Sequence, residues 1–187
     1  MTEIFRRLSR WLLVAVAVAI LAGCANEEDE DSAPCPAAKV MGEPSELTRY
    51  RDGPARDPTD VLFEARMMRV IGECGYDLDG GEIEIELEVT MDILRGPALV
   101  DGKVSYRYFV AVAEWVSDEG LEPVVRSRQS FPVETIIPGG RRGLSYRDLL
   151  EIEIPRPDDR DVRNYVVYLG FELTKEELMH NKERFGY

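Results

Sequence analysis

Residues 82–93 read Glu-Ile-Glu-Ile-Glu-Leu-Glu-Val-Thr-Met-Asp-Ile, with an apolar side chain at every odd position and a polar one at every even position. Successive side chains of a β-strand point to opposite faces, so this period of two predicts a half-buried strand. As an α-helix the same residues would scatter Ile83, Ile85 and Leu87 around the axis. One face therefore packs in a core, and a ladder of glutamates meets water.

Further strand patterns lie on both sides of this stretch, at residues 61–71, 104–116, 124–131, 149–154 and 165–173. The 104–116 segment is apolar on both faces, which predicts a central strand, whereas 124–131 is more polar and fits an edge. Six or seven short strands separated by turns predict a mainly β protein, an antiparallel β-sandwich of immunoglobulin-like size. Thr174 and Glu177 have the spacing of a capping box, which predicts a short C-terminal α-helix from 175 to about 184.

The first 24 residues have a different character. A basic head with Arg6, Arg7 and Arg10 precedes an apolar run that ends in Leu21-Ala22-Gly23-Cys24. The apolar run is shorter than the roughly 20 residues that a membrane-spanning helix needs, and its length is typical of a signal peptide. An uncleaved anchor is the alternative.

This order of segments resembles the signal peptide and lipobox of bacterial lipoproteins. The resemblance implies that residues 1–23 are a signal peptide removed before Cys24, and that Cys24 carries the lipid that holds the protein in the membrane. Ala25, rather than Asp, follows the cysteine, which implies the periplasmic face of the outer membrane. Over most of the mature chain the sequence also resembles small envelope lipoproteins of Gram-negative bacteria, a family from which no functional residues are carried over. The carrying segments are Cys24, Cys35-Pro36, Leu47-Thr48-Arg49, Gly53-Pro54-x-Arg56-Asp57, Cys74 and Gly170-Phe171-x-Leu173-Thr174.

Composition divides the rest of the chain. Residues 24–34 contain five consecutive acidic residues, which repel one another and predict a solvated tether behind the lipidated cysteine. Residues 35–60, interrupted by prolines, are expected to form an extended arm, and 61–187 the sandwich with its helix. The formal net charge of −13 disfavours nucleic acid as a partner, because both are anionic.

The cysteines can be assigned by context. With Cys24 assigned to the lipobox, Cys35 and Cys74 remain as an even pair in an oxidising compartment, which predicts a disulfide. Two buried thiols, or half of a metal site, are the alternatives. A metal site is disfavoured because there is no Cys-x-x-Cys spacing and His180 is the sole histidine.

Candidate contact residues are basic. Gly139-Gly140-Arg141-Arg142-Gly143 is the most basic point of an acidic chain and predicts an exposed loop that meets an acidic protein patch or lipid phosphates. Arg126 and Arg128 lie on the predicted edge strand and would extend this surface if the fold brings them near.

The motifs that carry chemistry are otherwise missing from the sequence. There is no nucleophile elbow, zinc-protease motif or phosphate-binding glycine loop, so we expect no enzymatic activity and no cofactor. The acidic turn at 77–82 fits a hairpin better than a calcium loop. The leading hypothesis is therefore a non-enzymatic interaction or scaffolding module anchored to the membrane, with a possible envelope protein as partner. The alternative is a protein that binds a small ligand or calcium.

Overall fold

The computed structural model describes residues 35–53, 57–77, 82–116, 122–155 and 162–186. Within these ranges the chain forms eight β-strands and one α-helix. The elements are β1 (Ala37–Val40), β2 (Glu46–Tyr50), β3 (Val61–Asp77), β4 (Glu82–Arg95), β5 (Lys103–Glu114), β6 (Val124–Ile136), β7 (Gly143–Pro155), β8 (Tyr165–Phe171) and α1 (Lys175–Phe185). The predicted signal peptide, Cys24 and the acidic tether lie outside the described residues. Among the described helices, none has the length and apolar character to cross a membrane.

The strands form two four-stranded sheets. One has the order β1-β8-β5-β6 and is called the β5 sheet; the other has the order β2-β3-β4-β7 and is called the β4 sheet. All neighbouring strands are antiparallel except β1 and β8, which are parallel. The predicted mainly β sandwich with a C-terminal helix is confirmed, with one parallel pair that the sequence did not predict.

The alternating stretch behaves as predicted. Along β4, Ile83, Ile85, Leu87, Val89, Met91 and Ile93 are buried. The polar residues between them lie on the opposite, outer face. Inward-facing residues of β5 and β8 pack in the same core, including Tyr106, Tyr108 and Phe171. As predicted, β5 is a central strand and β6 is an edge strand. The second half of β5 and nearly all of β8 are buried on both faces, as expected inside a sheet that is covered on both sides.

Two segments depart from the expected boundaries. The first long strand does not end near residue 71, because β3 continues through Gly72 and Gly75 to Asp77 in register with β4. The segment 35–60 was expected as an extended arm, and it supplies β1 to the β5 sheet and β2 to the β4 sheet. These additions are too short and irregular to be recognised from periodicity.

The C-terminal helix begins at the predicted capping box. The Glu177 N–H donates to the Thr174 hydroxyl, and the Thr174 N–H donates to the Glu177 carboxylate. The helix packs on the β2 side of the sandwich, where the buried Asn181 amide donates to the Glu43 and Glu46 carbonyls, both at 2.8 Å. Arg49 pairs with Glu177 across this junction. The helix therefore covers the β2 edge.

The predicted disulfide is confirmed. Cys35, just before β1, is bonded to Cys74 in β3, with a Cα–Cα distance of 5.7 Å. Because β1 belongs to the β5 sheet and β3 to the β4 sheet, the bond joins the two sheets at the point where the described chain begins.

Candidate interaction site

The strand register separates two ends of the sandwich. Cys74 is level with Ile85, near the start of β4. Leu94, near the end of β4, is level with Gly143, at the start of β7. Nine residues of an antiparallel strand span about 30 Å. The disulfide therefore lies at the end of the sandwich opposite to the loop that carries Arg141 and Arg142. Cys35, where the described chain begins, lies at the disulfide end.

Exposed apolar side chains surround that loop. Val100 is 93% exposed, Ile136 59% and Leu94 53%, and they line one shallow depression together with Arg141 and Arg142. We call this surface, defined by Leu94, Val100, Ile136, Arg141 and Arg142, the arginine end. Large apolar side chains that cluster at the surface beside arginines are typical of protein-binding sites.

A buried network holds the arginine end in shape. The Arg95 guanidinium donates to the Leu99 carbonyl at 2.8 Å and to the Ile137 carbonyl at 2.7 Å, so that it joins two neighbouring turns. Gly102 has a φ of +77°, and a Cβ there would lie 2.5 Å from the Ile137 carbonyl oxygen. Only glycine suits both the backbone conformation and the close approach. The depression is therefore preformed.

The other two predicted contact residues are engaged within the chain. Arg126 Nε lies 2.8 Å from Glu114 Oε2, and the Glu114 side chain is only 4% exposed. Arg126 is the extra residue of a β-bulge, because Val112 pairs with Ser127 and Ala113 with Val125. Sequence reasoning missed this pairing because the two residues belong to different strands.

Arg128 lies on the outer face of the β5 sheet. Its guanidinium carbon is 4.3 Å from the centre of the Phe109 ring, and it approaches Glu172 at 3.8 Å. Arg126 and Arg128 lie near the start of β6, whereas Ile136 is its last residue, so eight or more residues, about 27 Å of strand, separate them from the arginine end. Of the four predicted contact arginines, only Arg141 and Arg142 thus lie at the arginine end.

Replacement of Arg126 by alanine tests its structural role. We expect a loss of about 2–3 kcal/mol in the free energy of unfolding, because the buried Glu114 carboxylate loses a charged partner. Urea titration at pH 7 measures it. Arg128→Ala is the matched control, since its partner Glu172 is much more exposed, and it should cost below about 1 kcal/mol. Equal losses in the two variants would contradict this interpretation.

Tyr106, Tyr108 and Tyr146 lie near one another in the core. The Tyr108 hydroxyl donates to Asp148 Oδ2 at 2.8 Å. Burial, and then the hydrogen bond to Asp148, raise the pKa of Tyr108 well above its usual range. Burial, and then the nearby Tyr146, do the same for the pKa of Tyr106. Both phenols therefore remain protonated at neutral pH.

Glutamates form the outer face of the β4 sheet. Glu86 is level with Glu73 on one side and Glu151 on the other, and Glu84 is level with Glu153. Among the described residues no group of His, Cys, Asp or Glu has the geometry to hold a metal ion. The predicted hairpin or calcium turn at 77–82 lies mostly outside the described residues.

Comparisons with known proteins add no functional assignment. No family model matches the chain, and searches of curated proteins and of solved structures find no similar protein.

Proposed function

We propose that this protein is a lipid-anchored, non-enzymatic interaction module of the bacterial envelope, which binds an acidic protein surface through its arginine end. The observation that carries the proposal is the position of this exposed apolar and basic surface, at the end of the sandwich opposite to Cys35. Lipidation of Cys24 is the expectation from the sequence that completes it.

The chemistry of the arginine end suits a protein partner. Arginine guanidinium groups form paired hydrogen bonds with carboxylates, and Val100, Ile136 and Leu94 supply apolar area that is lost from water on contact. Arg95 and Gly102 fix the turns beneath this surface, so little backbone conformational entropy is lost there on binding.

The place where the tether joins the sandwich favours a partner that is not part of the anchoring membrane. The ten residues from Cys24 to Ala33 reach about 33 Å when fully stretched, and the arginine end lies about 30 Å beyond the disulfide along β4. With the lipid at Cys24, the attachment enters the sandwich at the disulfide end, which leaves the arginine end open to a protein partner.

Crosslinking in intact cells tests the proposal. The full chain is compared with Cys24→Ser and with the double variant Arg141→Glu, Arg142→Glu, and copurified proteins are identified. We expect a discrete partner whose recovery falls at least about tenfold when both arginines are reversed, since each charged contact contributes about 1.5–3 kcal/mol.

The control carries the same change of charge elsewhere. Lys175→Glu, Lys182→Glu alters two exposed lysines of α1 and should leave recovery of the partner unchanged. If the arginine reversal and the lysine reversal have the same effect, the arginine end is not the binding surface. If Cys24→Ser leaves the membrane association of the chain unchanged, the proposed lipid anchor is wrong, but the proposed binding surface is unaffected by that result.

A further inference from the structure

The four edge strands of the sandwich differ in how well they are protected. An exposed edge presents unpaired N–H and C=O groups, and proteins normally block it with short strands, prolines, bulges or a covering element. The β1 edge has four residues, and β2 has five and is covered by α1. The β6 edge contains Pro132 and the bulge at Arg126.

Within the described part of the chain, the remaining edge, β7, lacks these features. Its thirteen residues, Gly143–Pro155, pair with β4 in unbroken register from Gly143 to Pro155. Its one proline is the last residue. At its midpoint, Leu149 is 74% exposed. A long, regular edge strand with a large exposed apolar residue at its centre is suited to pairing with another strand.

At the centre of β7, the N–H and C=O groups of Leu149 point away from β4, towards the unpaired edge. The Leu149 N–H donates to the carboxylate of its own neighbour, Asp148, at 3.1 Å. Because alternate residues of an edge strand direct their N–H and C=O groups to opposite sides, the residues two before and two after Leu149 share this direction. They are Arg147 and Glu151.

The side chains around Leu149 are self-complementary. In an antiparallel pair of two β7 strands centred on Leu149, residues equally distant from the centre lie opposite one another. Leu149 then faces Leu149 of the second copy, and Arg147 faces Glu151 in both directions. Directly opposite residues of an antiparallel pair have their Cβ atoms about 5 Å apart, so two opposite-charge pairs flank one apolar contact. Within a single chain Arg147 has only Glu88, at 3.6 Å, among the ion pairs described.

We propose that the protein self-associates through β7, in an antiparallel pair centred on Leu149 that joins two β4 sheets into one. The occupant of this edge is a second copy of the chain. In the pair, the Leu149 N–H donates to the carbonyl of Leu149 in the second copy in place of the Asp148 carboxylate. The pairing uses an edge that is distinct from the arginine end and does not depend on the lipid.

Cysteine crosslinking with charge exchange tests this pairing. The full chain with Leu149→Cys is treated in intact cells with a short bismaleimide, and Ser130→Cys, exposed on β6, is the matched control. Cys35 and Cys74 are already bonded to each other, and Cys24 is present in both chains, so a difference in dimer yield between them reports the engineered thiol. We expect a dimer for Leu149→Cys and little for Ser130→Cys.

The charge variants are added to the Leu149→Cys chain. Arg147→Glu alone and Glu151→Arg alone place like charges opposite one another twice, and each should lower the dimer yield about tenfold. The double variant restores opposite charges and should restore the yield. Retention of the Cys35–Cys74 disulfide in every variant, measured by its gel mobility before and after reduction, shows that the sandwich is intact.

Several results would overturn the proposal. One is equal crosslinking at residues 149 and 130, and another is crosslinking to a different protein in place of a second copy. In the charge series, the contrary results are single variants that crosslink as well as the parent, or a double variant whose yield stays as low as that of the single variants. Repeating the series with Cys24→Ser separates this inference from the anchoring proposal, because the dimer should persist without the lipid.

Discussion

Loss of the Cys35–Cys74 disulfide is expected to lower the free energy of unfolding by about 4 kcal/mol. The bond closes a loop with a sequence separation of 39 residues, and a cross-link of that span removes this much conformational entropy from the unfolded chain. Single domains are stable by only about 5–15 kcal/mol. The change is therefore a large part of the total, and urea titration of Cys74→Ser against the native protein measures it.

The two single variants and the double variant provide the control. Cys35→Ser, Cys74→Ser and the variant with both changes should show nearly the same loss, because each removes the same cross-link. Losses that add would indicate that the two cysteines stabilise the fold by separate packing contacts, contrary to this expectation.

The second large effect is expected within the alternating stretch. Leu87 is 1% exposed, and Leu87→Ala should cost about 3–4 kcal/mol through lost burial and the cavity left behind. Its neighbour Glu86 is exposed and lies level with Glu73 and Glu151. Glu86→Gln should leave stability unchanged or raise it by about 0.2–1 kcal/mol, because it removes like-charge repulsion across the sheet.

Urea titration of both variants at low and high salt measures this contrast. Salt screens exposed charges, so the gain from Glu86→Gln should shrink at high salt while the loss from Leu87→Ala persists. A similar cost for both variants would mean that the two faces of β4 do not differ as the alternation predicts.

The parts of the fold that were predicted depend on local patterns. The half-buried β4, the central position of β5 and the capping box of α1 each follow from residues close together in the chain. The strands β1 and β2 could not be predicted in this way, because four or five residues carry too little periodicity. They become strands by pairing with β8 and β3, which are distant in sequence.

The candidate site shows the same division. The exposed loop with Arg141 and Arg142 was predicted from its glycines and charge. Leu94 joins it only through the register of β4 with β7, and Val100 through the turn that Arg95 ties to Ile137. Arg126 was predicted as a contact residue, and the bulge also places it beside the buried Glu114, which the sequence did not indicate. Charge in a sequence indicates solvation, but it does not indicate which opposite charge the fold brings near.

The sequence by itself determined where the longer strands lie, which face of β4 is buried, where the helix begins and which cysteines pair, because alternation and capping are properties of neighbouring residues and the disulfide followed from the count of cysteines. The tertiary structure alone decided that β1 and β2 are strands, which edge is left unprotected and which charged residues meet, because these depend on strand order and register between segments far apart in the chain.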